Sequence, residues 1–126
     1  MNKPTLLSTT LLVLTLALHH AGSAAAAAAQ LLIPTAPSGL TATAISTTAI
    51  TVEWVDNSDN ESGFKIEQCQ GLGCTDFAVA GYVSAGATNA TSWNLAKNKT
   101  YTFRVRAYND AGESDYSNPA WATTLR

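Results

Sequence analysis

The stretch ITVEWVDNSDNESGFKIEQC, residues 50–69, carries the information that decides the fold. Ile50, Val52 and Trp54 fall on one side of an extended chain, and Thr51 and Glu53 on the other. That two-residue period belongs to a half-buried strand. Gly63 opens a second run, with Phe64 and Ile66 on one side and Lys65 and Glu67 on the other, and it ends at Cys69. Between the two lies Asp56-Asn57-Ser58-Asp59-Asn60-Glu61, a burst of small acidic and amide residues. The question is whether this burst is a metal or catalytic site, or a loop joining two strands.

The same alternation continues outward in both directions. Strands are expected at Ser38 to Ile45, Ile50 to Trp54, Gly63 to Cys69, Phe77 to Val83, Thr88 to Leu95, Tyr101 to Tyr108 and Tyr116 to Thr124. Asn109-Asp110-Ala111-Gly112 reads as a turn, and Pro119 marks an edge or a bulge in the last strand. No segment carries a helical period, and turn signals recur at the short spacing of an all-β sandwich. The inward set of Ile50, Val52, Trp54, Phe64, Ile66, Leu95, Tyr101, Phe103 and Val105 is large enough for one core between two sheets.

The chain has 126 residues and a formal charge of −2, which suits one domain and argues against a nucleic-acid footprint. Lys97/Lys99 and Arg104/Arg106 are close pairs, and each reads as a solvated sheet face. Lys3, an uncharged leucine-rich stretch and the small residues from Ala21 onward form the pattern of a secretory signal peptide. Leu6 to Leu18 is shorter than the roughly 20 apolar residues of a spanning helix. The expected organisation is a signal peptide and alanine-rich leader over 1–29, a linker over 30–36 and a domain over 37–126. The mature chain is expected outside the cytoplasm, secreted or at the cell surface or periplasmic, without inserting into a membrane.

Export permits a disulfide. Cys69 and Cys74 bracket Gln70-Gly71-Leu72-Gly73, and a local structural staple is the favoured reading. A zinc site would need about four ligands, and both histidines lie in the leader. No cofactor or metal is expected. Without a histidine beyond the leader, or a serine in a nucleophile elbow, no enzyme activity is expected either.

The runs APSGLTAT (36–43), ITVEWVDNSDNESGFKIEQC and LAKNKTYTFRVRAYNDAGESDYSNPAWATT (95–124) together resemble a fibronectin type III domain, in the versions found in secreted bacterial proteins. The resemblance implies a seven-stranded, immunoglobulin-like β-sandwich. It places Trp54 as the core tryptophan of the second strand, with Phe103 in the same core. Leu95 precedes a tyrosine corner at Tyr101, whose hydroxyl would bond backbone near Leu95 to Asn98. It also makes the Asp56–Glu61 burst the usual loop between the second and third strands, where short polar side chains cap backbone groups. Those carboxylates do not fit the spacing of a dedicated calcium loop.

The chain departs from the family at Ala90, where an inward tyrosine is common, and at Trp93, usually a small residue. Either a shifted register lets Trp93 refill the core or the ring is exposed, and partial burial is the expectation. No Arg-Gly-Asp occurs in the chain. Three N-glycosylation patterns begin at Asn60, Asn89 and Asn98, and they read as chance matches.

The family resemblance implies a non-catalytic binding module that presents a sheet face and loops to a protein or cell-surface partner. The candidate face holds Trp121 with outward Arg104, Arg106 and Tyr108. Arginine stems that merely cover the tryptophan are the plainest reading. A protein hot spot comes next, and a stacking platform for polysaccharide is the alternative.

Overall fold

A computed structural model describes residues 32–126; the leader expected over 1–29 lies outside the described residues. The strands are β1 (Ser38–Ala44), β2 (Ile50–Val55), β3 (Gly63–Gln70), β4 (Ala78–Ser84), β5 (Asn89–Ser92), β6 (Thr100–Asn109), β7 (Gly112–Glu113) and β8 (Ala120–Thr123). They form a three-stranded sheet, β1-β2-β5, and a five-stranded sheet, β4-β3-β6-β7, with β8 also paired to β6. All the pairings are antiparallel.

The alternation read from the sequence becomes the core. Leu40, Ile50, Val52 and Trp54 pack from one sheet against Phe64, Ile66, Phe103, Val105 and Ala107 from the other. Trp54 and Phe64 meet across the gap with ring centroids 5.4 Å apart. Leu95 and Tyr101 are buried in the same cluster. The Ala96 amide donates to the Tyr101 hydroxyl at 3.0 Å, which fixes the bend before β6. Tyr101→Phe keeps the ring and leaves that amide without its acceptor. A loss of about 1 kcal/mol is expected in chemical denaturation.

The last expected strand, Tyr116 to Thr124, is shortened to β8, and a short strand, β7, begins at Gly112, the last residue of the expected turn. Between β7 and β8 runs a six-residue passage that leaves the regular ladder. Two serines keep β6 satisfied there. The amides of Val105 and Ala107 donate to Ser117 Oγ at 3.0 Å and Ser114 Oγ at 2.9 Å. The Ser117 and Ser114 amides donate back to the carbonyls of Val105 and Ala107. Side-chain hydroxyls thus stand in for strand acceptors, and the intervening backbone is released to swing Tyr116 over the sheet. Asn118 then bridges the two sheets, its amide group exchanging hydrogen bonds with the backbone of Leu40 at 2.8 and 3.0 Å.

Trp93 corrects an expectation, for the ring is 64% exposed rather than partly buried. No register shift occurs in β5: Ala90 pairs with Val52 and Ser92 with Ile50, so these small residues take the inward places. Asn94 adopts φ 60°, a left-handed conformation that asparagine tolerates. The reversal drops Leu95 into the core and leaves Trp93 outside. The unfilled space becomes a groove of about 160 Å³ between β4 and β5, lined in part by Val52, Ile66, Ala80, Gly81 and Ala90. Above it, Ser92 Oγ donates to Gln68 Oε1 at 2.5 Å, one sheet to the other.

Residues 32–36, expected as linker, are tied to the domain. Asn60 and Asn109 both donate to the Leu32 carbonyl, at 3.0 and 2.8 Å. Asn57 donates to the Ala36 carbonyl at 3.0 Å, Pro34 is buried, and the Ile33 side chain lies over Gly112.

Candidate binding face

The opening loop has a structural employment. Asp56 Oδ1 accepts from the Ser58 amide at 3.0 Å, and Ser58 Oγ lies 2.7 Å from Glu61 Oε2. Glu61 Oε1 accepts from the Gly86 amide at 3.1 Å, joining this loop to the one after β4. Burial acts to raise the Glu61 carboxyl, but the bonds from Ser58 and the backbone outweigh it and hold it below the usual range. With Asn57 and Asn60 holding the entering chain, the polar burst works as a clamp. Among the described residues, the one grouping of metal-type ligands is Cys69, Cys74 and Asp76. Both of its sulfurs are joined to each other. That disulfide closes the β3–β4 hairpin, where Gly71 and Gly73 adopt positive φ.

The candidate residues sit on the outward face of the larger sheet, and the β3–β6 register sets their order. Gly63 faces Tyr108, Lys65 faces Arg106, Glu67 faces Arg104, and Cys69 faces Thr102. Trp121 on β8 pairs with Thr102 at the far end. Six residue steps along β6 lead from Thr102 to Tyr108, so Trp121 and Tyr108 stand about 20 Å apart at ~3.3 Å per residue. They form no single aromatic strip.

Between them, the arginines are occupied. Glu67 points outward yet is only 5% exposed. It accepts from Arg104 Nη2 at 2.8 Å, Arg104 Nε at 3.1 Å and the Tyr116 hydroxyl at 2.8 Å, and Lys65 Nζ lies 3.7 Å away. Arg104 also lies over the rings of Phe77, at 4.0 Å, and Tyr116, at 3.7 Å. Arg106 stacks on the same Tyr116 ring at 3.7 Å and pairs with Glu113 at 2.7 Å. Lys65 reaches the other Glu113 oxygen at 2.6 Å. The result is a stack, Phe77–Arg104–Tyr116–Arg106, floored by two glutamates.

The titrations follow from this geometry. Burial pushes the Glu67 carboxyl up, but the bonds from Arg104 and Tyr116 and the Arg104 and Lys65 charges more than offset it, so it lies below the usual range. The Lys65 bond holds the Glu113 carboxyl low, and the same bond holds the Lys65 ammonium high. Burial and the bond to Glu67 raise the Tyr116 hydroxyl.

Trp121 is 56% exposed at the rim beside Thr102, whose hydroxyl donates to the Gly71 carbonyl at 2.7 Å. At the opposite end the Tyr108 ring covers Gly63 and meets Tyr82 edge-on, with centroids 5.8 Å apart. The sequence reading named both arginines and both end aromatics, and all four lie on the outward face of the larger sheet. Tyr116, Phe77, Glu67, Lys65 and Glu113 escaped it as members of the face. Strand alternation does place Lys65 and Glu67 outward, so register alone could have found those two. Tyr116 reaches the face only because its segment leaves the ladder.

Comparison with known proteins agrees with this architecture. Chitinase A1 of Niallia circulans is 37% identical over 81 residues, which cover 63% of this chain and 10% of the relative. The chain thus spans about a tenth of that relative's length. A crystallised set of titin domains superposes with a TM-score of 0.66 at 25% identity, over 75% of this chain and 33% of the titin chain. The FN3tt crystal structure superposes with a TM-score of 0.62 over 75% of this chain and 98% of its own length; at 21% identity it speaks to the fold alone. The fibronectin type III domain profile matches residues 35–123, and the chain belongs to the fibronectin type III family.

Proposed function

We propose that this chain is an exported, non-catalytic interaction module, and that the Trp121 end of its larger sheet meets a protein or cell-surface partner. The observation that carries the reading is the half-exposed Trp121 ring beside a pinned hairpin. A large, rigid aromatic on such a platform contributes much to binding and loses little freedom on contact. The arginines belong to the platform, since their charges and faces are already matched by Glu67, Glu113 and Tyr116. A leader pattern and a disulfide support export. Among the described residues, no helix is long and apolar enough to cross a membrane.

The test is retention of the purified protein on cell-envelope protein fractions and on insoluble polysaccharides, with Trp121→Ala run alongside. The expected result is retention on the protein fractions, weakened about tenfold or more by Trp121→Ala, as for a hot-spot tryptophan. A second reading, polysaccharide binding, draws on the same exposed ring and on the likeness to a chitinase. It predicts retention on chitin that the Trp121→Ala variant loses. Equal retention of both proteins on every matrix overturns both readings.

A further inference from the structure

We propose that the free edge of β4 pairs antiparallel with β4 of a second copy of this chain. The inference is independent of the partner that meets Trp121.

β4 bonds to β3 on one side, and among the described residues no strand lies on its other side. Its sequence, Ala78-Val79-Ala80-Gly81-Tyr82-Val83-Ser84, contains no charge and no proline. Charges and prolines are two of the means that keep an edge strand from pairing; a β-bulge is a third, and this strand has one at Ala80. Val79 and Tyr82 on its outward side are 51% and 61% exposed. The groove between β4 and β5 opens beside this edge, and Ala80 is exposed there.

A second copy is singled out by the β-bulge in this strand. Val79 pairs with Glu67 and Gly81 with Ile66, so Ala80 is extra. Glu67 is outward and Ile66 is inward, which places Val79 outward and Gly81 inward. Ala80 lines the groove beside Gly81. Tyr82 is outward opposite Lys65, Val83 is inward opposite Phe64, and Ala78 is inward opposite Gln68.

In an antiparallel pair of identical strands, a two-fold axis perpendicular to the sheet keeps outward residues outward. A regular strand centred on a peptide bond would then set inward residues against outward ones. The bulge removes that conflict. With the axis between Ala80 and Gly81, Val79 faces Tyr82 of the second copy, both outward. Ala78 faces Val83 and Ala80 faces Gly81, all inward. Shifting this register by one residue mismatches the faces. Asp76, the nearest ionisable residue before the strand, falls opposite uncharged Ala85. The strand is therefore complementary to itself in one closed register, with two apolar Val79–Tyr82 pairs on the outer surface.

Sedimentation equilibrium of the purified protein tests this, together with two charge-swapped variants. The wild type should sediment at twice the monomer mass at high concentration. Val79→Lys with Tyr82→Lys, and separately Val79→Glu with Tyr82→Glu, should each be monomeric, because each sets like charges directly opposite one another. Mixing the two variants should restore a dimer, since lysine then faces glutamate at both places. Where a charged variant does not fold, mixed Val79→Cys and Tyr82→Cys proteins should form an intermolecular disulfide in the same register. A wild type that stays monomeric up to its solubility limit overturns the proposal. So does a mixture that recovers neither dimer nor cross-link.

Discussion

Arg104→Ala is expected to lower the stability of the domain at neutral pH by about 3 kcal/mol, the cost of leaving a buried charge without its partner. Glu67 would keep its carboxylate in an enclosed site with only Lys65, 3.7 Å away, and the Tyr116 hydroxyl for company. Phe77 and Tyr116 would also lose the guanidinium that lies over both rings. The pH dependence separates this cause from simple loss of packing. In the wild type the folded-state pKa of Glu67 is depressed, so its contribution is present above the unfolded carboxylate value of about 4.3. That contribution is lost as pH falls through the folded value. In the variant the Arg104 bond and charge are gone and only Tyr116 and Lys65 still oppose burial, so the Glu67 pKa rises above its wild-type value and the variant loses less stability when Glu67 is protonated. Urea denaturation at neutral pH and near pH 4 should therefore show the gap between the two proteins narrowing on acidification. Adding Glu67→Gln to Arg104→Ala should recover much of the loss at neutral pH. A gap that is constant with pH would assign the effect to lost stacking instead.

Gly63→Ala is the second large effect, about 2–3 kcal/mol, from overpacking where the backbone itself is the obstacle. A methyl group on Gly63 would run into the Val83 carbonyl oxygen of the adjacent strand and stand 2.8 Å from the Tyr108 hydroxyl. Gly63 has no positive φ, so the effect is steric and not conformational. Tyr108→Ala removes the ring but not the carbonyl, so the double variant should remain destabilised. Full recovery in the double variant would show that the ring alone sets the requirement. The same pair of variants reports on the Tyr82–Tyr108 contact at this end of the sheet.

The sequence by itself determined the sandwich, its inward set and its local closures. Strand period is a property of the backbone, so Ile50, Val52 and Trp54, or Phe103 and Val105, declare their faces without knowledge of their neighbours. The cysteine hairpin is equally local. Tertiary structure decided what happens on the outer face. Alternation could place Arg104, Arg106 and Glu67 outward, but it could not show that Glu67 is buried there. That burial depends on Tyr116, which arrives from a segment whose strand ladder is replaced by Ser114 and Ser117 hydroxyls. Such a substitution is a long-range pairing with no period to betray it. The clamp on the entering chain was hidden for the same reason, because Asn60 and Asn109 lie far along the chain from the Leu32 carbonyl they hold. Trp93 stayed outside because β5 keeps the register that turns Ala90 and Ser92 inward, and the left-handed turn at Asn94 then brings Leu95 into the core; a register shift would have been needed to bury the ring.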